Sequence, residues 1–189
     1  MLILLDERDR YLFERPISPE VKVENELKDL EKALLAAVRG MSLDELKRNR
    51  EGKWSAAQIL EHLCLTYQGT IKAFERCLQA EKPLGGNPTL KQRVSIAAVT
   101  RWGYLPEGRS APERTVPRGM PVEQVVEQTI SGLSAMDAII GEAEKKYGKR
   151  TRVLDHPVLG PLTTKQWRGF HGTHGRHHLK QIRSLRAAG

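Results

Sequence analysis

Apolar residues recur along this chain at three- and four-residue intervals in four separate segments, the period of a helix with one face turned to a core. The first, over about residues 21–40, carries Val23, Leu27, Leu30, Leu34, Leu35 and Val38 and stops at Gly40. A short turn at 42–46 follows. The second segment starts behind Ser55, whose hydroxyl suits a helix N-cap, and presents Ile59, His62, Leu63, Thr66, Thr70, Phe74 and Leu78 before Pro83. The third starts at Pro121 and aligns Val122, Val125, Val126, Thr129, Ile130, Leu133, Met136 and Ile140. The fourth starts near Thr163 or Thr164 and turns Trp167, Phe170, His171, His174, His178, Ile182 and Leu185 inward. Strand-like alternation is almost absent, and 155–162, with its His-Pro and Gly-Pro pairs, is expected to be a connecting turn. The pattern predicts an all-α fold, a four-helix bundle with one long crossover between the second and third helices.

That crossover, residues 82–121, holds six prolines and five glycines in a basic stretch broken by a short apolar run at 94–99. It is too long for an ordinary connection, so it either spans the domain, partly as a short helix, or forms a lid. Residues 1–20 contain Pro16 and Pro19 without sustained periodicity and are expected to form an N-terminal arm, leaving 21–189 as the bundle domain. With 189 residues, the chain can bury roughly 70% of its unfolded surface and needs neither disulfide nor structural metal to fold. Cys64 and Cys77, the only two cysteines, would lie ~20 Å apart on one helix and cannot pair. No apolar stretch approaches the ~20 residues of a membrane span, and no signal-peptide pattern opens the chain, so a cytoplasmic protein is expected.

The net charge of +8 raises the question of nucleic acid, but the lysines and arginines are scattered and no aromatic-basic interleaving accompanies them. The densest basic run, 145–152, suits the solvated C-terminal end of a helix. No nucleic-acid partner is expected.

The chemistry lies in the histidines. Four of the six fall in His171-Gly-Thr-His174-Gly-Arg-His177-His178. At ~100° per residue, His174 and His178 stack on one helix face, His171 shares their stripe and His177 points to a flank. Imidazoles thus stand where a bundle core calls for leucines. Buried imidazoles need partners for their ring nitrogens, and a divalent metal satisfies several at once; the alternatives are a His-rich surface turn, or core histidines bonded to carbonyls and water. An i, i+4 histidine pair is also the spacing by which one helix supplies two ligands to one ion. His62 likewise replaces an apolar residue on the second helix. Alone it reads as a satisfied core histidine, but if the second and fourth helices face each other it reaches the same ion. Three neutral imidazoles leave coordination positions open, as in catalytic rather than structural sites. Cys64 is turned ~200° from His62 and reads as a small buried apolar residue.

The segment Trp54-Ser55-x-x-x-Ile59-Leu60-x-His62-Leu63, followed by His174-Gly-Arg-His177-His178-Leu179-x-Gln181-Ile182, resembles the DinB/YfiT-like superfamily of four-helix-bundle proteins. The turn His156-Pro157-Val-Leu-Gly160-Pro-Leu-Thr163 leading to Trp167 resembles the lead-in to the last helix in one branch of it. The resemblance implies a metal triad of His62, His174 and His178, with His177 as a neighbour that does not ligate. It further implies a nickel, zinc or similar divalent ion and a homodimer. Relatives of this kind include transferases and isomerases dependent on low-molecular-weight bacterial thiols.

Two classes of function follow. One is a metal-dependent enzyme, a thiol-dependent S-transferase or isomerase or a hydrolase, in which the ion activates a thiol or water against a small-molecule substrate. Arg101, Arg109, Arg114 and Arg118 of the crossover would meet an anionic thiol's carboxylates, or are simply a solvated loop. Glu61 and Asp137, with His171 and His177, are candidates to orient the ligands or line the pocket, surface positions being the alternative for the two acids. The other class is a non-catalytic metal-binding or stress-related interaction module. No catalytic residue is assigned from the sequence.

Overall fold

The computed structural model of the chain describes residues 19–50, 52–106 and 110–187, with side chains from residue 26. The arm expected over 1–20 lies outside the described residues except for Pro19 and Glu20, which open the first helix, α1 (Pro19–Val38). A proline there forfeits only an N–H that has no helical acceptor. A short α2 (Leu43–Lys47) follows, and then the second long helix, α3 (Ala56–Gln79). The crossover contains α4 (Leu90–Thr100) and a single 3-10 turn (Glu113–Thr115). It leads into α5 (Val122–Tyr147), a hairpin of β1 (Arg152–His156) and β2 (Gly160–Thr163), and α6 (Thr164–Ala187).

The helices start where side chains satisfy their free N–H groups. Ser42 with Glu45, Ser55 with Gln58 and Thr89 with Gln92 form reciprocal capping boxes at α2, α3 and α4. Thr163 does the same for α6: its hydroxyl accepts from Gln166 N at 3.2 Å while Gln166 Oε1 accepts from Thr163 N at 3.0 Å.

The four long helices form the expected bundle, α3 packing most extensively on α5 and α1 on α6. Its core joins Leu27, Leu30 and Leu34 of α1, Ile59, Leu63 and Phe74 of α3, Val125, Leu133, Met136 and Ile140 of α5, and Trp167 and Ile182 of α6. Leu35, expected on the inner stripe of α1, is instead 37% exposed, and the smaller Ala37 is buried on the inner side. Thr66, Val126, Ile130 and Leu185 are half-buried at the margins of their stripes. Two long helices are enclosed on more than one side, since α2 and the 3-10 turn cover α3 while α1 and α4 cover α6. Close approach is possible because α6 is rich in glycine. A methyl group added at Gly175 would overlap the Leu30 side chain of α1.

The segment expected to be a mere connecting turn is an antiparallel hairpin, with Leu154 opposite Leu162, Asp155 opposite Pro161 and His156 opposite Gly160. It forms because Val153, Leu154 and Leu162 bury against the bundle while Gly160, at φ +80°, makes the return. A proline is tolerated in β2 because a two-stranded sheet consists of edges. The start of the crossover lies along this hairpin: Leu84 N donates to Val153 O at 2.9 Å and Gly86 N to Asp155 Oδ1 at 3.0 Å. Among the described residues, no helix is long and apolar enough to cross a membrane.

Candidate metal centre

The cap at Ser55 lies roughly two turns before His62, and the cap at Thr163 roughly three turns before His174. Both helices therefore present a histidine to the space between them. His62, His174 and His178 are 4%, 8% and 7% exposed. His174 Nε2 lies 3.1 Å from His62 Nε2 and 3.1 Å from His178 Nε2, and one ligand atom from each residue falls within 4.8 Å of the others.

The outer nitrogens fix the tautomers. His62 Nδ1 lies 2.8 Å from the carbonyl oxygen of Thr115 in the crossover, and a carbonyl only accepts, so the proton sits on Nδ1. His178 Nδ1 lies 2.8 Å from Gln181 Oε1, with the Gln181 amide nitrogen 3.2 Å from His177 Nε2, and the same assignment follows. Two Nε2 lone pairs are thereby aimed at His174 Nε2, which can offer a single proton to one of them. The remaining contact sets lone pair against lone pair at 3.1 Å. A shared cation removes this conflict by taking all three. Two nitrogens on one tetrahedral zinc lie about 3.3 Å apart, given Zn–N bonds of about 2.0–2.1 Å, so the donor set fits a divalent ion in spacing as well as in type.

Burial holds these rings neutral. It lowers the pKa of His62 against the opposing effect of the Thr115 carbonyl. His174 is pulled well below the usual histidine range by burial and by its histidine neighbours, and His178 to about 3 by burial and then by His62. At neutral pH all three are ready to donate a lone pair. The walls are aromatic: Trp54 packs on His62 with ring centroids 5.1 Å apart, and Phe170 stacks on His174 at 5.4 Å and 11°.

The other candidates are placed elsewhere. Buried Glu61 accepts from the backbone N–H groups of Arg118, Gly119 and Met120 rather than from an imidazole. Asp137 binds Arg168 Nε at 2.7 Å, and Arg168 also reaches Glu144, so this cluster pins α5 to α6. His171 is fully buried, with Nε2 3.1 Å from the Thr70 hydroxyl. That hydroxyl gives its own proton to Thr66 O, so His171 donates to it. Half-buried His177 meets Gln181, as noted above. Cys64 is buried, with its sulfur accepting from Gln68. Arg101, Arg114 and Arg118 are exposed, and Arg109 lies outside the described residues. Sequence reasoning missed Thr115, which acts through a carbonyl any residue would supply. It also gave no role to Gln181, although its i+3 spacing from His178 was visible.

The family described as "Protein of unknown function (DUF1569)" matches residues 22–184. Proteins named "putative metal-dependent hydrolase" from Bacillus cereus and Bacillus thuringiensis subsp. konkukian are each 24% identical over 180 residues, covering 94% of this chain and 92% of theirs. Among solved structures, YfiT from Bacillus subtilis, described as "a probable metal-dependent hydrolase with an unusual four-helix bundle topology", superposes with a TM-score of 0.58. That match has 19% identity and covers 93% of this chain and 91% of that one. The match over residues 22–184 places this chain in the DUF1569 family, and its bundle has the DinB/YfiT-like four-helix fold.

Proposed function

We propose that this protein is a hydrolase dependent on a divalent cation, zinc or nickel, held by His62, His174 and His178. The observation that carries the reading is the convergence of three neutral Nε2 atoms, two of them with their lone pairs fixed by hydrogen bonds on the far side of the ring. When bound there, the ion supplies a Lewis acid that polarises a substrate carbonyl or phosphoryl oxygen and makes water a nucleophile near neutral pH. The chain's own residues do the rest. The Thr115 carbonyl and the Gln181 amide orient two of the rings, and Trp54 and Phe170 shield the rings from bulk water. A ligand set of three imidazoles adds no negative charge to offset that of the ion. The names of the Bacillus relatives agree with this reading.

A second reading, activation of a small anionic thiol for transfer to an electrophile, is favoured by the exposed Arg114 and Arg118. They lie on either side of Thr115, in the segment that touches His62. Elemental analysis of untagged protein purified without chelator, alongside His62→Ala and His174→Ala, tests the shared premise. Near-stoichiometric zinc or nickel in the wild type, lost in both variants, is expected. Turnover of activated esters, amides or phosphoesters without added thiol then supports hydrolysis, whereas turnover of an electrophile only with thiol supports the second reading. A loaded site inert to both panels would leave the non-catalytic module, and a wild type that takes up no metal overturns the proposal.

A further inference from the structure

We propose that Glu61 is a positioning residue for this site, acting on His62 through the backbone of residues 115–120. The inference rests on the metal-site reading for its purpose but on separate contacts for its mechanism. Glu61 is 4% exposed and forms no ion pair among the described residues. Its charge is met by backbone alone: Oε1 accepts from Arg118 N at 2.7 Å, and Oε2 accepts from Gly119 N and Met120 N at 3.0 Å each. Three consecutive N–H groups turned onto one carboxylate form an anion-binding concavity of the kind that a left-handed residue in the run makes possible, and Gly119 supplies it at φ +92°.

Thr115, three residues before Arg118, places its carbonyl 2.8 Å from His62 Nδ1. The 3-10 turn sets the direction of that carbonyl, since Thr115 N donates to Pro112 O and Val116 N to Glu113 O. Two successive residues of α3 thus grip one strap of the crossover, Glu61 from the anionic side and His62 from the donor side. Without the grip at Glu61, the 3-10 turn still orients the carbonyl within the strap, but the strap loses the three bonds that hold it against α3 beside His62, and with them the constraint that keeps the ring's proton on Nδ1 and its lone pair on Nε2. Charge-assisted bonds to three donors make that grip the stronger of the two. The hydrogen bonds that the strap makes to Glu61 and His62 are all through its backbone, while the Met120 side chain packs on the core.

The test reads the imidazole directly in metal-free protein. Long-range nitrogen–proton NMR of apo wild type at pH 7.5, with His62 assigned by comparison with His62→Ala, is expected to show a single Nδ1–H tautomer. In Glu61→Gln, which sets an amide N–H against the backbone donors, a mixed tautomer is expected, and zinc affinity by chelator competition should fall about tenfold. Glu61→Asp, which keeps the carboxylate, should recover part of both. Gly119→Ala disturbs the same cradle without altering α3 and should shift the tautomer likewise, which covers a Glu61→Gln protein too unstable to study. Leu154→Ala, on the hairpin, controls for general loss of stability and should leave the tautomer alone. An unchanged His62 tautomer in Gly119→Ala and in folded Glu61→Gln overturns the inference. Failure of the wild type to bind either zinc or nickel would instead overturn the metal reading, with the tautomer comparison still deciding what Glu61 does.

Discussion

His174 is the ring that both other Nε2 atoms approach, so its loss should be felt by the whole cluster. Substitution with alanine should abolish stoichiometric metal binding, whereas His177→Ala, whose ring hydrogen-bonds to Gln181 and meets His178 edge-on, should change affinity by no more than a fewfold. Gln181→Leu removes the acceptor from His178 Nδ1 and should weaken metal binding by roughly 10- to 100-fold, measured by competition with a chelator. The three ring positions were legible because an imidazole on a core stripe contradicts its surroundings, and three contradictions converged. Their outer partners were less so. Thr115 contributes an atom common to every residue, and Glu61, on the helix of His62, gave no sign that it would bind backbone rather than a ring.

At the scale of elements, two helical glycines with the same sequence appearance should respond oppositely to alanine. Gly69 lies on the exposed side of α3 with nothing within 4 Å of an added methyl, so Gly69→Ala should stabilise by about 0.5–1 kcal/mol through helix propensity. Gly175→Ala drives a methyl into Leu30 across the α1–α6 contact and should cost about 1–3 kcal/mol; urea midpoints of the two variants check both signs. The four long helices were readable because each repeats its apolar period several times, and capping residues mark the starts of four of the six helices. The hairpin was not. Strands of 5 and 4 residues are too short to display a period of two, and their burial comes from packing on α3 and α6 that no local pattern records. Leu35 misled for the converse reason, since a stripe read at 100° per residue does not reveal how wide a face the neighbouring helices cover.

For the whole molecule, acid should be destabilising well above the range of carboxylate titration. Burial pulls the folded-state pKa of His156 to about 4 and of His171 to about 3, the latter also through His156, against about 6.5 in the unfolded chain. Below pH 6.5 the unfolded chain gains protons that the folded one refuses. The stability these rings allow is therefore complete above about 6.5 and is lost as pH falls, until each folded-state value is reached. The slope approaches about 1.4 kcal/mol per pH unit for each ring, before discount for the partial exposure of His156, and urea unfolding of apo protein at pH 7.5 and 5 should display it. In the other direction, zinc at 100 times its dissociation constant should add about 2.7 kcal/mol, seen as a rise in Tm that chelator reverses. The caps at Ser55 and Thr163 give the architecture a further property. They act as zero marks on a ruler, from which His62 and His174 are counted in near-whole turns. Inserting one alanine between Ser55 and His62 keeps every histidine and every cap, yet it swings the ring by about 100° unless the cap gives way. Chain length in those opening turns is as much an ingredient of the centre as the histidines, so tolerance of insertions should fall to zero inside them and recover beyond.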